Sequence, residues 1–573
     1  MRATMRWDDR GLNLDSAVDR LKPPPSPLPP LPPLPPRPRQ RLLCALLAGC
    51  LGLGLLASPL AAQAQGLPSS TVRLPALGES ASDDFNLSQE KRIGEQIMRE
   101  IRRDPDYLDD PTLLDYLQQL WAPLVQAARN NGNIGADTEH LFPYEAFLVR
   151  DRAVNAFALP GGYVGVHLGL IAITATPDEL ASVLGHELSH ITQRHIARSV
   201  AASSRASSLG LAAMLLGLLV ASRANSPDAA QAVVMGSQGA MAQAQLNFSR
   251  DMEREADRTG LALMAAAGYA PAGMPAMFDK LDASSRLNDS GGFPYLRSHP
   301  LTIDRIGEAR QNVEASGAAT ALPAPPLLHG LMQGRARVLM DPAIQPLRRL
   351  QELDARATMA QLPLADRLAG LYTSGLASAR LRDFARGERA VAAAQALLAA
   401  SPVNEPAAAQ ALARLMAQVA LAHGDAALAS TAMAGGAVDD GSRSGLLLQA
   451  DWALADGSAP ALRRSGEALQ TWVSVHRDDA SAWLLLSQTA DRQGQKLRSV
   501  RAEAESQAAL GNLPGAIDRL RAGQRLARQG GVGTDFIEAS VIDARLRDLL
   551  AQRRQLINDE RKPGDRRRDE PPE

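Results

Sequence analysis

The sequence has 573 residues, which is longer than a single compact domain usually is. Its net charge excludes one broad class of function. Its 61 basic and 62 acidic residues give a net charge of −1, so it lacks the overall basic character of proteins that bind nucleic acid. Aromatic residues make up only 4% of the chain, whereas Ala and Leu are abundant, which favours helices over sheets. We therefore expect two or three parts and a mainly α fold.

Residues 1–64 differ from the rest of the chain and predict an export signal. A proline-rich run from Pro23 to Pro38, which favours polyproline II, is followed by arginines and by the apolar segment Leu42–Ala57. A basic flank, an apolar segment and small residues ending at Ala64 are typical of a secretory signal peptide. We therefore predict export, with cleavage after Ala64.

Three other interpretations of this leader stay open. The apolar segment could remain as a membrane span, although it is shorter than the roughly 20 residues that a bilayer requires. Cys50 could instead become the lipidated end of a lipoprotein, and the prolines could form a ligand for an SH3-type domain. Cys44 and Cys50 are the only cysteines, so cleavage after the leader would exclude disulfide bonds from the mature chain.

The segment that follows predicts two helices and then a small sheet. Ile and Leu recur at helical spacing from Ser88 to Leu124, with two Asp-Pro breaks between the helices. Residues typical of strands occupy Phe142–Val149 and Ala153–Val166, and Pro160-Gly161-Gly162 predicts a tight turn within the second run. Further on, the apolar patch Leu209–Ala221 is too short to span a bilayer and predicts a buried helix or a membrane-surface element.

The stretch from Gly185 to His190 predicts a metal-binding helix. His186 and His190 are four residues apart and share one helix face, with Glu187 beside them. Zinc binds neutral imidazole, and a catalytic zinc keeps one position open for water, whose proton a neighbouring carboxylate can take. Thr176 and Glu179 resemble a capping box at the start of this helix. A third ligand is still required.

The acidic segment Ser249–Arg258 is the candidate source of that ligand. Glu253 and Asp257 lie one helical turn apart, so one could bind zinc while the other orients a ligating histidine; Glu255 points elsewhere. Taken alone, this segment could equally be a solvated acidic helix face. His195 follows His190 by five residues, off the ligand face, so we predict a solvated or capping histidine rather than a ligand.

Four segments together resemble the successive motifs of HtpX-like and CAAX-prenyl-protease-like zinc peptidases, a gluzincin family. They are Asn155–Tyr163, His186–His190, Glu253–Asp257 and Ser298–Leu301. Within that family the chain is most similar to the β-barrel assembly-enhancing proteases of Gram-negative bacteria. The resemblance has specific motifs over roughly residues 70–310 and is weaker and only architectural over residues 345–550.

The resemblance assigns roles to individual residues. It implies that Glu253 is the glutamate ligand of one Zn²⁺ per chain and that Asp257 is the acid next to the ligands. It implies that His299 approaches the metal, where an imidazole could hold the enzyme latent or donate to a developing oxyanion. Arg305, in the same segment, could pair with a carboxylate of the site. We therefore expect Glu187, His299 and Arg305 to take part in catalysis.

The resemblance also predicts function. It implies a periplasmic zinc metalloendopeptidase that acts on misfolded or stalled outer-membrane β-barrel proteins and promotes their assembly. An extended substrate would add as a strand at Asn155–Val166. Expected partners are unfolded outer-membrane proteins and the β-barrel assembly machinery, with peripheral contact to the outer membrane left open. The alternative is a repeat-containing scaffold or chaperone whose metal site is largely latent.

The expected domains follow from these patterns. Residues 65–314 would form the peptidase domain with its small sheet, and residues 315–344, rich in Ala, Gly and Pro at their start, a linker. Residues 345–551 contain paired helices that resemble degenerate tetratricopeptide repeats, which stack into an α-solenoid and bind peptides or partner proteins. A plain helical bundle is the alternative. Residues 552–573 would be a disordered charged tail.

Overall fold

The computed structural model describes residues 86–202, 250–287, 295–434, 440–529 and 535–560. It confirms the mainly α fold, with one small sheet in the N-terminal half of the described chain. The predictions on the leader, residues 1–64, and on the patch Leu209–Ala221 lie outside these residues. Among the described helices, none is both long enough and apolar enough to cross a membrane.

The N-terminal half begins with the two predicted helices and contains the four strands. Numbered over the described residues, its elements are α1 (Leu87–Ile101), β1 (Tyr107–Leu108), α2 (Pro111–Asn130), α3 (Ala136–Glu139), β2 (Glu145–Val149), β3 (Ala156–Leu159), β4 (Tyr163–His167), α4 (Leu168–Ile173), α5 (Pro177–Thr192), α6 (His195–Ala202), α7 (Arg250–Ala266), α8 (Gly273–Leu287), α9 (Tyr295–Ser298) and α10 (Ile303–Ala315).

The sheet has the strand order β1-β2-β4-β3. The pair β2 and β4 is parallel, whereas β1 and β3 run antiparallel to their neighbours. Between β3 and β4 the chain turns at Gly161 and Gly162, whose φ angles of 77° and 93° favour glycine, so the predicted tight turn is confirmed. In this strand order β3 is an outer strand of the described sheet, and it contacts α5.

Side chains cap the starts of two helices, and the sequence predicts one of these caps, at Thr176. Asp110 accepts a hydrogen bond from the backbone N–H of Leu113 at 2.9 Å and thereby caps α2. Thr176 accepts from the N–H of Glu179 at 3.2 Å and caps α5. The Glu179 carboxylate accepts from the N–H of Ala175, one residue before the position that a capping box uses. The predicted N-cap at Thr176 is therefore present, but the Glu179 side chain accepts from the N–H of Ala175 instead of that of Thr176.

The C-terminal half is entirely helical where it is described. It contains α11 (Leu327–Leu339), α12 (Ile344–Gln351), 3₁₀ turns at Glu352–Ala355 and Met359–Gln361, α13 (Leu364–Arg380), α14 (Phe384–Ala399), α15 (Pro406–His423), α16 (Ala426–Met433), α17 (Arg443–Asp456), α18 (Ala459–Val475), α19 (Ala480–Arg492), α20 (Lys496–Ala509), α21 (Leu513–Gln529) and α22 (Phe536–Glu560). From α13 to α22 each helix packs on the next, as in a solenoid. That these helix pairs are tetratricopeptide repeats stays a prediction.

Two boundaries expected from sequence do not match the structure. Within the expected linker, residues 315–344, helix α11 packs on α4 and α13 with Leu331 and Met332 fully buried. The backbone N–H groups of Leu327 and Leu328 donate to Glu405 at 2.8 Å each, so a side chain distant in sequence caps this helix. At the other end, α22 continues to Glu560, into the expected tail of residues 552–573.

The two halves share one hydrophobic core, which runs from α2 and the sheet through α11 into α13, α14 and α15. A buried ion pair reinforces this contact: Arg335 on α11 donates to both oxygens of Asp110, at 2.6 and 2.8 Å, and also to Tyr372. Beside it, Arg443 on α17 forms an ion pair with Asp109 at 2.6 Å. The helical half is therefore attached to the start of α2 by both apolar packing and ion pairs.

Candidate metal centre

The site forms where α5 and α7 approach each other closely. A Cβ atom added to Gly260 on α7 would lie 3.0 Å from the backbone nitrogen of His186, and one added to Gly185 would lie 3.2 Å from the Gly260 carbonyl oxygen. Such distances are tighter than ordinary van der Waals contact, so glycine at both positions allows the approach. Because of it, Glu253 on α7 faces the two histidines of α5.

Four buried side chains offer metal-binding atoms within 4.8 Å of one another: His186, His190, Glu253 and His299. The Nε2 atoms of His186 and His190 are 3.0 Å apart, and Glu253 carboxylate oxygens lie 3.5 Å and 3.6 Å from them. His299 Nδ1 lies 3.3 Å from His186 Nε2 and 3.0 Å from Glu253. Tetrahedral zinc with ligands at 2.0–2.1 Å separates those ligands by about 3.3 Å, so this donor set fits one zinc ion.

Glu187 lies next to this cluster and is fully buried. Its carboxylate is 3.6 Å from His299 Nε2. Within the described residues neither of its oxygens accepts a hydrogen bond. Burying a carboxylate without a hydrogen-bond partner is unfavourable by several kcal/mol in order of magnitude, so the position of Glu187 indicates a site that binds a cation and water.

Asp257 and Arg305 contact members of the donor cluster and fix their positions. Asp257 Oδ1 lies 2.9 Å from His186 Nδ1, which leaves the other ring nitrogen directed at the donor cluster. Arg305 donates to both oxygens of Asp257, at 2.7 and 2.8 Å, and forms an ion pair with Glu253 at 2.7 Å. It also donates to the carbonyl oxygen of Pro300 at 3.0 Å. Arg305 thus contacts two carboxylates and the segment that carries His299.

The electrostatics of the cluster favour a cation. Burial opposes a charge on His186, but hydrogen bonds to Asp257 and Glu253 outweigh it and raise the pKa of His186 to about 9. Burial lowers the pKa of His190 well below its usual value, and a charged His186 lowers it further. Burial alone would raise the pKa values of Glu253 and Asp257, yet the neighbouring cationic groups lower both. Both carboxylates are therefore ionised at neutral pH.

His299 reaches the cluster from the segment between α9 and α10. It is 2% exposed, and its ring stacks on that of Tyr295 with a centroid distance of 4.8 Å and an interplanar angle of 26°. Tyr295 is itself buried, and its ring lies 6.4 Å from that of His186. Sequence reasoning did not find Tyr295, because no pattern around it indicates a stacking partner.

The prediction that His195 is a solvated or capping histidine is wrong. His195 is fully buried, and its Nδ1 lies 2.8 Å from Nδ1 of His190. The prediction extended the helical wheel five residues beyond His190, but α5 ends at Thr192 and Arg194 turns the chain with a φ of 52°. That turn brings His195 back over His190. His195 lies outside the four-donor cluster and contacts one of its members.

Comparisons with known proteins support these features. Residues 120–313 match Peptidase family M48. A Yersinia pestis protein described as a β-barrel assembly-enhancing protease is 29% identical over 497 residues, which cover 86% of this chain and 96% of that protein. A protein of the same description from Escherichia coli strain K12 is 32% identical over 247 residues, 43% of this chain and 48% of that protein.

A Vibrio cholerae protein is 37% identical over 240 residues, 42% of this chain and 47% of that protein. The alignments with the Vibrio cholerae and Escherichia coli proteins thus span about half the length of each, whereas the Yersinia pestis alignment extends through the helical half as well. The buried cluster contributed by α5, α7 and the segment after α9 lies within the residues that match the family. Residues 120–313 of this chain are therefore similar to Peptidase family M48, and this similarity supports a metallopeptidase domain.

Proposed function

We propose that this chain is a zinc-dependent metalloendopeptidase in which His186, His190 and Glu253 hold one zinc ion. The observation that carries the proposal is the buried donor cluster, whose separations of 3.0 to 3.6 Å suit tetrahedral zinc, beside a buried carboxylate without a hydrogen-bond partner. Zinc, when bound, supplies a Lewis acid that polarises a carbonyl and makes water acidic near neutral pH.

The side chains would divide the work of peptide hydrolysis. Glu187 would take a proton from the attacking water onto its carboxylate and then give it to the leaving amine. Asp257 fixes the ring of His186, and Arg305 keeps Asp257 and Glu253 in place through its three close contacts. Arg305 touches no reacting atom in this arrangement, so its role would be to position ligands.

An extended polypeptide is the substrate class that the fold suits. Strand β3 (Ala156–Leu159) is an outer strand of the described sheet and contacts α5, the helix that carries His186, Glu187 and His190. A substrate strand that pairs with β3 by main-chain hydrogen bonds would pass beside the metal cluster. Unassembled β-barrel proteins, whose strand edges are unpaired, present such segments.

The names of the relatives suggest the biological setting. They are described as β-barrel assembly-enhancing proteases, and one alignment covers 86% of this chain. We therefore assign the chain to quality control and assembly of outer-membrane β-barrel proteins in the periplasm. The stacked helices from α13 to α22 would bind clients or the β-barrel assembly machinery.

A second function is favoured by the position of His299. With this histidine among the donors, four protein ligands surround the metal position, a number typical of structural rather than catalytic zinc. In that state the protein would act as a scaffold or chaperone with a latent site. Release of His299 would then convert the site to the catalytic form.

Zinc removal tests the proposed function directly. Dialysis against a chelator is expected to abolish casein hydrolysis, and one equivalent of zinc should restore it, because the ion would polarise the scissile carbonyl and make the attacking water acidic. Glu253→Ala should lower zinc content well below one per chain, measured by metal analysis. Glu467→Ala, on the exposed face of α18, is the control and should keep both zinc and activity. Full activity in the chelated protein would exclude a metallopeptidase.

His299→Ala is expected to raise basal casein hydrolysis several-fold. In the structure His299 Nδ1 occupies one of four donor positions, 3.3 Å from His186 Nε2, so its removal opens a position for water. The measurement is the initial hydrolysis rate at a fixed zinc content. A fall in rate with unchanged zinc would indicate instead that His299 donates a proton to the developing oxyanion. An unchanged rate would exclude both roles.

A further inference from the structure

A second series of contacts between polar side chains leads away from the metal cluster. It begins at His190, continues through the contact between Nδ1 of His190 and Nδ1 of His195 at 2.8 Å, and reaches Glu255, whose carboxylate lies 3.2 Å from Nε2 of His195. Arg198 then donates to the same carboxylate oxygen at 2.9 Å. Neither the mechanism above nor any relative's description assigns a role to these residues.

The proton positions along this line follow from which ring nitrogens must donate a hydrogen bond and which must accept one. His190 directs Nε2 at the donor cluster, 3.0 Å from His186 Nε2, so Nε2 must be the unprotonated nitrogen when it binds a metal. A neutral imidazole then carries its proton on Nδ1, where it can donate only if His195 Nδ1 accepts. With Nδ1 of His195 accepting, its own proton must lie on Nε2, which faces the Glu255 carboxylate. All three contacts are satisfied by one tautomer of each ring.

The backbone holds His195 in the required place. Arg194, with a φ of 52°, adopts the left-handed conformation that costs a non-glycine residue on the order of 1 kcal/mol or more. Its guanidinium donates to Glu90 at 3.1 Å, and Glu90 is a buried residue of α1. This ion pair stabilises the turn between α5 and α6, and the turn places the His195 ring 4.8 Å from the His190 ring.

The two ligand histidines of α5 are thus supported in parallel ways. His186 is backed by Asp257, which is bound to Arg305. His190 is backed by His195, which reaches the Glu255 carboxylate and its arginine partner. In each case the ring nitrogen that faces away from the donor cluster has a polar partner. For His186 that partner is itself the anion bound to arginine, whereas for His190 the anion acts through His195.

We propose that His195 is a positioning residue for the metal site: it accepts the Nδ1–H of His190, fixes the ring orientation and tautomer of that ligand, and is itself oriented by Glu255. The proposal rests on the zinc site proposed above. A histidine held in this way presents Nε2 to the metal without first losing rotamer freedom or changing tautomer. Loss of such a partner typically weakens metal binding by about 10- to 100-fold.

A matched pair of substitutions separates this role from simple packing. His195→Leu keeps much of the volume but cannot accept from His190, so we expect zinc binding about 10- to 100-fold weaker. His195→Gln can accept through its amide oxygen and donate to Glu255 through its amide nitrogen, so it should recover most of the affinity. The measurement is competition for zinc between each purified full-length variant and a chromophoric chelator of known affinity.

Three further variants complete the test. Glu255→Ala should weaken zinc binding, and the double variant His195→Leu/Glu255→Ala should bind no more weakly than His195→Leu, because both residues act through one line of contacts. His423→Ala, at a partly exposed histidine of α15, should bind zinc like the wild type. If His195→Leu does not fold, Glu255→Ala decides the question, since Glu255 is partly exposed and its loss is tolerated more easily.

The outcomes distinguish this inference from the proposed function. Equal losses in His195→Leu and His195→Gln, or wild-type affinity in His195→Leu, would overturn the positioning role while leaving the zinc site intact. Wild-type affinity in Glu255→Ala would remove Glu255 from the line, and with it the proposed orientation of His195. A wild-type protein that binds no zinc would overturn the proposed site and this inference together.

Discussion

Glu187→Gln is expected to lower casein hydrolysis by about 10²- to 10⁴-fold, the usual contribution of a positioned general base. The variant should still hold one zinc per chain, because the donor cluster is formed by His186, His190, Glu253 and His299 and does not include Glu187. Glutamine has nearly the same shape as glutamate but cannot take a proton from water at neutral pH. The measurement is hydrolysis rate and metal content on the same protein preparation.

The control for this variant is Glu467→Gln on the exposed surface of α18, which should leave both quantities unchanged. A Glu187→Gln protein that hydrolyses casein at more than a tenth of the wild-type rate would contradict the assigned base. Loss of zinc together with activity would show that Glu187 supports the fold of the site instead. Full rescue of outer-membrane protein assembly in cells by the inactive variant would favour the scaffold function over proteolysis.

The features that the sequence predicted best are those that depend on local spacing. The helix that carries His186 and His190, its cap at Thr176, and the turn at Gly161 and Gly162 are each specified within a few residues. The spacing of Glu253 and Asp257, one helical turn apart, predicts that they act as a pair, and the structure brings both to the histidines. The family resemblance then separated their proposed roles, which spacing alone left open.

The features that the sequence did not predict depend on contacts between distant segments. Helix α11 lies in the segment predicted as a linker, because the residues before it are rich in Ala, Gly and Pro. A Cβ at Gly334 would lie 2.2 Å from Oγ1 of Thr373, so this glycine serves close helix packing. Glu405, which caps α11, is 78 residues from Leu327. Neither the close packing at Gly334 nor the cap from Glu405 produces a periodic pattern in the sequence.

His195 illustrates the same limit at short range. A helical wheel predicts positions only while the helix continues, and the turn at Arg194 depends on Glu90, 104 residues earlier in the chain. The sequence contained His195, Arg198 and Glu255, but nothing in their spacing indicates that they meet. Such contacts are visible only once the packing of α1, α5, α6 and α7 is known.

Asp110→Ala is expected to lower the free energy of unfolding by about 3–5 kcal/mol, the cost of leaving a buried charge without its partner. Arg335, 3% exposed, would lose both hydrogen bonds to the carboxylate, at 2.6 and 2.8 Å, and α2 would lose its N-cap, which adds about 1 kcal/mol. Because this pair joins α2 to α11, the loss should also weaken attachment of the helical half. Urea unfolding followed by fluorescence and by circular dichroism measures both effects.

The matched control is Asp279→Ala, which breaks an Asp–Arg ion pair on the exposed surface, with Arg310, whose shortest distance is also 2.6 Å. Exposed pairs contribute about 0–1 kcal/mol, so the difference between the two variants reports the effect of burial together with the lost N-cap of α2. Burial raises the pKa of Asp110, but the Arg335 guanidinium outweighs it and lowers the pKa below the ordinary value. The stability that ionised Asp110 contributes is therefore present above about pH 4 and is lost as pH falls through its folded-state pKa.

The pH dependence makes this prediction specific. The difference in stability between wild type and Asp110→Ala should be constant from about pH 5 to 8 and should shrink only in acid, since Arg335 remains charged throughout. The double variant Asp110→Asn/Arg335→Met keeps a capping side chain and removes both charges, so it should be more stable than Asp110→Ala. If the double variant were less stable than Asp110→Ala, the attraction between the two charges would itself hold the two halves together. The unpaired arginine alone would then not explain the loss of stability in Asp110→Ala.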